Sequence, residues 1–214
     1  MTSTKSRIIK TAIDQFNQYG VANVRVHGIA EKMNISPGNL TYHYKTKSQL
    51  MYAIHEYMVN ALGELMGGKE NFNDAEDVIL VIRDYLQFQI QYRFFYRDVL
   101  EILQLCPDLK SSYQSLIQAV IHFNKSVVLF SIERGFAIAE PYKGHYDILV
   151  KNNWAVLYAW LTEREVLGDK AISIADGIKA VFHLYFPYLT EKGKVFYFKM
   201  IQELPKWVKD EIQS

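Results

Sequence analysis

Apolar residues recur at three- and four-residue steps along nearly the whole of this 214-residue chain, and no convincing run alternates at every second position. A helix repeats every 3.6 residues and a strand every two, so the pattern predicts helices that each bury one face. The fold class that follows is all-α. Half of the residues are hydrophobic, enough to fill a sizeable core, and the length allows one or two domains.

The helix boundaries are marked by residues with identifiable backbone chemistry. Ser3 and Thr4 cap a first helix whose face is Ile9, Ala12, Ile13, Phe16 and Tyr19, and Gly20 ends it. A short second helix carries Val26, Ile29, Ala30 and Met33, followed by Asn34, a residue that tolerates left-handed backbone. Ser36-Pro37 then opens a third short helix, about Pro37 to Tyr44, with an N-cap and a proline at the first helical position. Thr46-Lys47-Ser48-Gln49 reads as a capping box for a longer helix over about 47–66. Residues 67–73 are the best linker. Further helices are expected at about 74–92, 94–105, 107–134, 145–167, 170–186 and 190–203, punctuated by glycine and proline.

Charge is unevenly divided. Residues 1–50 carry a net +5 and residues 51–214 a net −4, which points to a small basic module that meets a polyanion and a larger part that does not. Cys106 is the sole cysteine, so no intramolecular disulfide is possible, and beside Pro107 it reads as a small buried hydrophobe. The first seven residues lack the apolar run of a signal peptide, and the longest apolar stretches are broken by polar residues. A cytoplasmic protein without a membrane partner is expected.

Residues 24–50 carry the functional signal. Two short helices joined by a tight turn bury Ile29, Ala30, Ile35 and Leu40 against the first helix. The second of the pair is left with an outer face of Gly38, Asn39, Thr41, Tyr42 and His43, small or hydrogen-bonding groups unsuited to a core. A helix of that size fits the major groove, where side chains reach base edges. Lys45 and Lys47 follow, placed for phosphates, and the free N–H groups at the start of the helix that Ser36-Pro37 opens are a further place for a phosphate.

The stretch Ile29-Ala30-Glu31-Lys32-Met33-Asn34-Ile35-Ser36-Pro37-Gly38-Asn39-Leu40-Thr41-Tyr42-His43-Tyr44-Lys45-Thr46-Lys47-Ser48-Gln49-Leu50 resembles the TetR family of transcriptional regulators. Ile29, Ala30, Ser36, Gly38, Leu40, His43, Lys47 and Leu50 match the family pattern directly, and Tyr44 stands where Phe is usual. Asn34 replaces the turn glycine, Arg25 the threonine that caps the second helix, and Thr41 a common tyrosine, with Tyr42 beside it. The resemblance implies a helix-turn-helix module at 1–50 and an effector-binding and dimerisation part at 51–214. The implied DNA-contacting set is Arg25, His27, Gly28, Ser36, Pro37, Gly38, Asn39, Thr41, Tyr42, His43, Lys45 and Lys47. The implied partners are double-stranded operator DNA, a second copy of the chain, and a small, largely apolar effector whose binding releases the DNA.

The larger part is rich in aromatics at helical spacing, which core packing alone explains in most cases. A pocket between its helices is expected to draw on Tyr85, Phe88, Phe95, Tyr113, His122, Phe123, Trp154 and Tyr158. The resemblance places a dimer seam on the last long helices, at Ile148, Ala155, Ala159, Ile174, Ile178, Val181, Phe182 and Tyr185. Catalysis is not indicated. The six histidines are scattered, no metal-ligand or nucleophile-elbow spacing occurs, and no cofactor or metal is expected. A helical binding protein that had lost DNA recognition would lack the basic residues and the polar face, and both are present.

Overall fold

The computed structural model describes residues 3–67, 72, 74–168 and 173–207, with side chains through 204. The described residues form eleven α-helices and one 3-10 turn: α1 (Thr4–Tyr19), α2 (Val26–Lys32), α3 (Pro37–His43), α4 (Lys47–Met66), α5 (Ala75–Gln91), α6 (Arg93–Arg97), α7 (Val99–Leu105), α8 (Leu109–Glu133), α9 (His145–Leu167), α10 (Ile174–Tyr185), the turn Phe186–Tyr188, and α11 (Glu191–Trp207). The expected all-α class holds. The boundaries fall where the sequence markers place them: Ser3 and Ser36 cap α1 and α3 through their hydroxyls, and Gly168 closes α9 in left-handed backbone. Much of the expected linker at 67–73, and residues 169–172 before α10, lie outside the described residues.

The single helix expected at 94–105 is two. The break is at Asp98 (φ −105°, ψ 18°), whose carboxylate is drawn off to bond Val21 N–H at 2.8 Å and the neighbouring Arg97 guanidinium at 2.9 Å. A side chain committed to a distant backbone group sets the local bend.

Two compact units divide the chain: residues 1–63 with 91–116, and residues 64–90 with 117–214. In the first, Ile8, Ala12, Ile13 and Phe16 of α1 are buried with Ile29, Ala30 and Leu40 of α2 and α3, and Phe94 lies 5.4 Å from Phe16. Cys106 is buried there as expected, its Sγ 3.2 Å from Ser48 Oγ, and burial raises its thiol pKa. In the second, Val128 packs with Tyr146, Leu149 and Val150, while Phe72, Val78 and Val81 form a neighbouring cluster capped by Phe123 and Phe130.

Helix α8 corrects one sequence expectation. With a mean hydropathy of 1.4 over its best 18 residues, it is the one described helix long and apolar enough by length and composition to cross a membrane. The polar breaks at His122, Asn124 and Lys125 do not outweigh the apolar residues around them. Only Val120 and Val128 of that stretch are buried, its other side chains are half-buried or exposed, and Lys125 pairs with Asp147 of α9 at 2.6 Å.

Gly193, in the first turn of α11, permits the closest approach in the second unit. A Cβ there would lie 2.0 Å from the Phe136 carbonyl oxygen, which also accepts the Thr190 N–H at 3.0 Å. Gly193→Ala is therefore expected to destabilise the protein by about 1–3 kcal/mol, overpacking outweighing the gain in helix propensity. Thermal unfolding checks this at roughly 2–4 °C per kcal/mol for a chain of this size. An unchanged or raised Tm would mean that the Phe136 segment yields freely.

Candidate functional site

The turn between α2 and α3 is built from local chemistry. Asn34 adopts φ 54°, and the Ile35 N–H returns to the Ala30 carbonyl at 3.1 Å. Asn tolerates this left-handed backbone because its short polar side chain hydrogen-bonds locally. Ser36 Oγ accepts the Asn39 N–H at 3.2 Å and Pro37 fills the first helical position, so α3 starts with its orphan donors partly satisfied. Leu40 is fully buried and anchors α3, which leaves the opposite face outward.

On that face Gly38 and Asn39 are exposed and Tyr42 is 84% exposed, the largest such side chain on α3. Thr41 is half-buried and its hydroxyl donates back to the Pro37 carbonyl at 3.0 Å. His43 meets the Tyr42 ring edge-on at 5.2 Å. Ser36, Pro37 and Lys45 are exposed at the two ends of α3. Arg25 sits at the N-cap of α2 without a side-chain capping bond, and with His27 and Gly28 it borders a shallow surface depression that also includes Glu31.

Lys47 departs from the phosphate-facing position the sequence suggested. Its ammonium donates to the Val21 carbonyl and lies 5.9 Å from the centre of the Phe16 ring. Burial lowers its pKa, with Glu101 and Asp98 opposing that shift. The capping box is also rearranged. Thr46 Oγ1 accepts the Gln49 N–H at 3.1 Å, but Gln49 Oε1 reaches one residue further back, to the Lys45 N–H at 2.9 Å.

No local pattern signals the partners that hold the end of α1. Arg97 donates to the Phe16 carbonyl at 2.8 Å and to the Asn17 carbonyl at 3.3 Å. The Asn17 side chain donates to the Gln91 carbonyl at 2.8 Å and accepts the Phe94 N–H at 3.0 Å. These pairs are 74–81 residues apart, beyond the reach of any local pattern.

The second unit contains a cavity of about 90 Å³ lined by residues of α4, α5, α8, α9 and α10 and of the segments after α8 and α10. Of the eight aromatic-rich positions expected at a pocket, Tyr85 and Phe123 line it. Phe88 stacks on Tyr85 in the core, Phe95 and Tyr113 pack together in the first unit at 5.3 Å, His122 is exposed, and Trp154 and Tyr158 pair at 5.4 Å away from the lining. The lining instead includes Asn124, Asn153, Tyr146, Tyr185 and Tyr188.

On α9, Ile148, Ala155 and Ala159 are exposed and share a stripe with exposed Val166. Ile174, Ile178 and Val181 of α10 are instead buried within their own unit, and Phe182 and Tyr185 line the cavity. The apolar face of α10 was wide enough for either use, and intramolecular packing takes it.

Residues 8–54 match the family model of bacterial regulatory proteins of the tetR family, and residues 56–196 match the TetR model described as bacterial transcriptional repressor. The chain belongs to the TetR family. The probable HTH-type transcriptional regulator YttP of Bacillus subtilis (strain 168) is 28% identical over 119 residues, 52% of this chain and 58% of that protein. The HTH-type transcriptional regulator RutR of Escherichia coli (strain K12) is 23% identical over 141 residues, 63% of this chain and 65% of that protein. The matched regions thus span 58–65% of these curated relatives. A TetR-family transcriptional regulator from Marinobacter aquaeolei VT8 shares the fold with a TM-score of 0.82 at 22% identity, covering 94% of this chain and 98% of that one.

For a TetR-family head, the inward turn of Lys47 has a measurable consequence. Lys47→Ala is expected to cost about 1–3 kcal/mol of stability, the range for a hydrogen bond made by a charged group. Lys45→Ala should leave Tm nearly unchanged and reduce the salt dependence of DNA binding. Melting curves and salt titrations of both variants check this. A flattened salt slope in Lys47→Ala with an unchanged Tm would return that lysine to the phosphates.

Proposed function

We propose that this TetR-family chain is a sequence-specific DNA-binding regulator acting as a homodimer in the cytoplasm. Its operator binding is released when a small, largely apolar effector enters the second unit. The observation that carries this reading is the outward face of α3, with Asn39, Tyr42 and His43 held away from a buried Leu40. Residues 1–50 form the DNA-reading module, linked through the helix at 47–66, and residues 51–214 serve effector binding and dimerisation.

In this reading Asn39, Thr41, Tyr42 and His43 contact base edges, with Gly38 allowing close approach to the groove. Arg25, His27, Gly28, Ser36, Pro37 and Lys45 border the phosphates, where contacts set register and affinity rather than sequence choice. The exposed α9 stripe, Ile148, Ala155, Ala159 and Val166, is the dimer seam. A two-fold dimer would set two α3 helices in successive major grooves about 34–36 Å apart. Each neutralised phosphate should contribute about −0.9 to the slope of log affinity against log salt.

The test is selection from genomic DNA: purified protein, random fragments of its source genome, and sequencing of what it retains at moderate salt. A short palindromic site is expected, with Asn39→Ala and Tyr42→Ala shifting its sequence preference. Salt-labile retention without sequence preference would refute the specific-regulator reading.

A further inference from the structure

Resting on the reading of the second-unit cavity as the effector site, we propose that its ligand class is uncharged: an apolar body bearing one hydroxyl or carboxamide that bonds Asn153 and Asn124. None of the 21 lining residues is Asp, Glu, Lys, Arg or His. A carboxylate or ammonium placed there would lose its hydration and meet no counter-charge, the situation in which buried ions are most unfavourable.

The polar equipment of the wall is small and mostly committed. Tyr146 Oη donates to the Ile138 carbonyl at 2.9 Å, and Ser131 Oγ donates to the Val127 carbonyl at 2.8 Å. The Asn153 side chain is in hydrogen-bond contact with the Tyr185 hydroxyl. Two atoms remain without a partner: Asn153 Oδ1, on a residue only 3% exposed, and Asn124 Nδ2, itself buried. Buried polar groups in folded proteins are almost always bonded, so this pair marks where a ligand's polar end belongs.

An open acceptor and an open donor are both satisfied by a group that gives and takes one hydrogen bond, which a hydroxyl or a carboxamide does. If the Asn153 amide is turned about, both open atoms are donors, and the oxygen of a hydroxyl or carboxamide accepts from both through its two lone pairs. The rest of the ligand faces hydrocarbon. A second hollow of about 40 Å³ shares Val78, Ser131, Phe182 and Leu189 with the first and adds Phe130 and Phe136, room for an elongated apolar body.

The experiment uses the full chain without DNA and reads displacement of the fluorescent probe N-phenyl-1-naphthylamine. The competitors are 1-pentanol, pentanamide, pentanoate, pentylammonium and toluene at neutral pH. The alcohol and the amide are expected to bind at least about tenfold more tightly than either ion, and the amide more tightly than toluene. Asn153→Leu and Asn124→Leu, checked for native melting, should each erase the preference of amide over toluene. If either variant fails to fold, the comparison on the unaltered protein decides.

Ions that bind as tightly as the neutral compounds would overturn the proposal, as would toluene matching the amide or no competitor displacing the probe. Adding the amide afterwards to the protein–DNA complex separates the two readings. An amide that binds but leaves DNA retention unchanged supports the ligand class and removes the release mechanism.

Discussion

The last turn of a helix presents carbonyl oxygens with no partner inside the helix, and at the end of α1 they are claimed by side chains from distant parts of the first unit. Arg97 takes the Phe16 and Asn17 carbonyls, Lys47 takes Val21, and Asp98 accepts the Val21 N–H. Asn17, buried at the same place, is satisfied on both side-chain atoms by Gln91 and Phe94. Two cations sit at the negative end of the α1 dipole, where they are favourable. Removing the Asp98 or Asn17 side chain would take the acceptor from the Val21 or Phe94 N–H, at a cost of about 1–3 kcal/mol, whereas the Phe16 carbonyl keeps the Gly20 N–H without Arg97.

The placement of α3 depends on that clamp. Helix α1 packs against α2, α2 packs against α3, and the buried Leu40 fixes the inner side of α3. Ser36, Pro37 and Asn34 fix where α3 begins, and the Thr41 hydroxyl gives its hydrogen back to the Pro37 carbonyl, which leaves it an acceptor toward the outside. What is left facing solvent is a short row of polar and aromatic groups with basic residues at its flanks. In the proposed reading the side chains that face outward carry recognition, and those that face inward carry its position. Lys47 belongs to the second group.

Much of this was legible in the sequence, because much of it is local. Capping by Ser3 and Ser36, the left-handed turn at Asn34, the stop at Gly168 and the burial of Leu40 each follow from a residue and its near neighbours. The split between α6 and α7 was not legible, since Asp98 bends the chain to reach Val21, 77 residues away. The direction of Lys47 was hidden for the same reason. Aromatic spacing could not say which rings line a cavity: Phe95 and Tyr113 follow the same helical periodicity as Tyr85 and Phe123, yet lie in the other unit. Nor could it mark Asn124 and Asn153, whose meaning lies in the bonds they do not make.

The central claim is that DNA is read by the exposed face of α3 on a fixed support. Hydrogen–deuterium exchange of the full chain, with and without the DNA it selects, tests it most directly. The account predicts new protection concentrated in residues 36–45, with the end of α1 already slow to exchange in the free protein. Protection that bypasses 36–45 would contradict the assignment of α3 as the reading element.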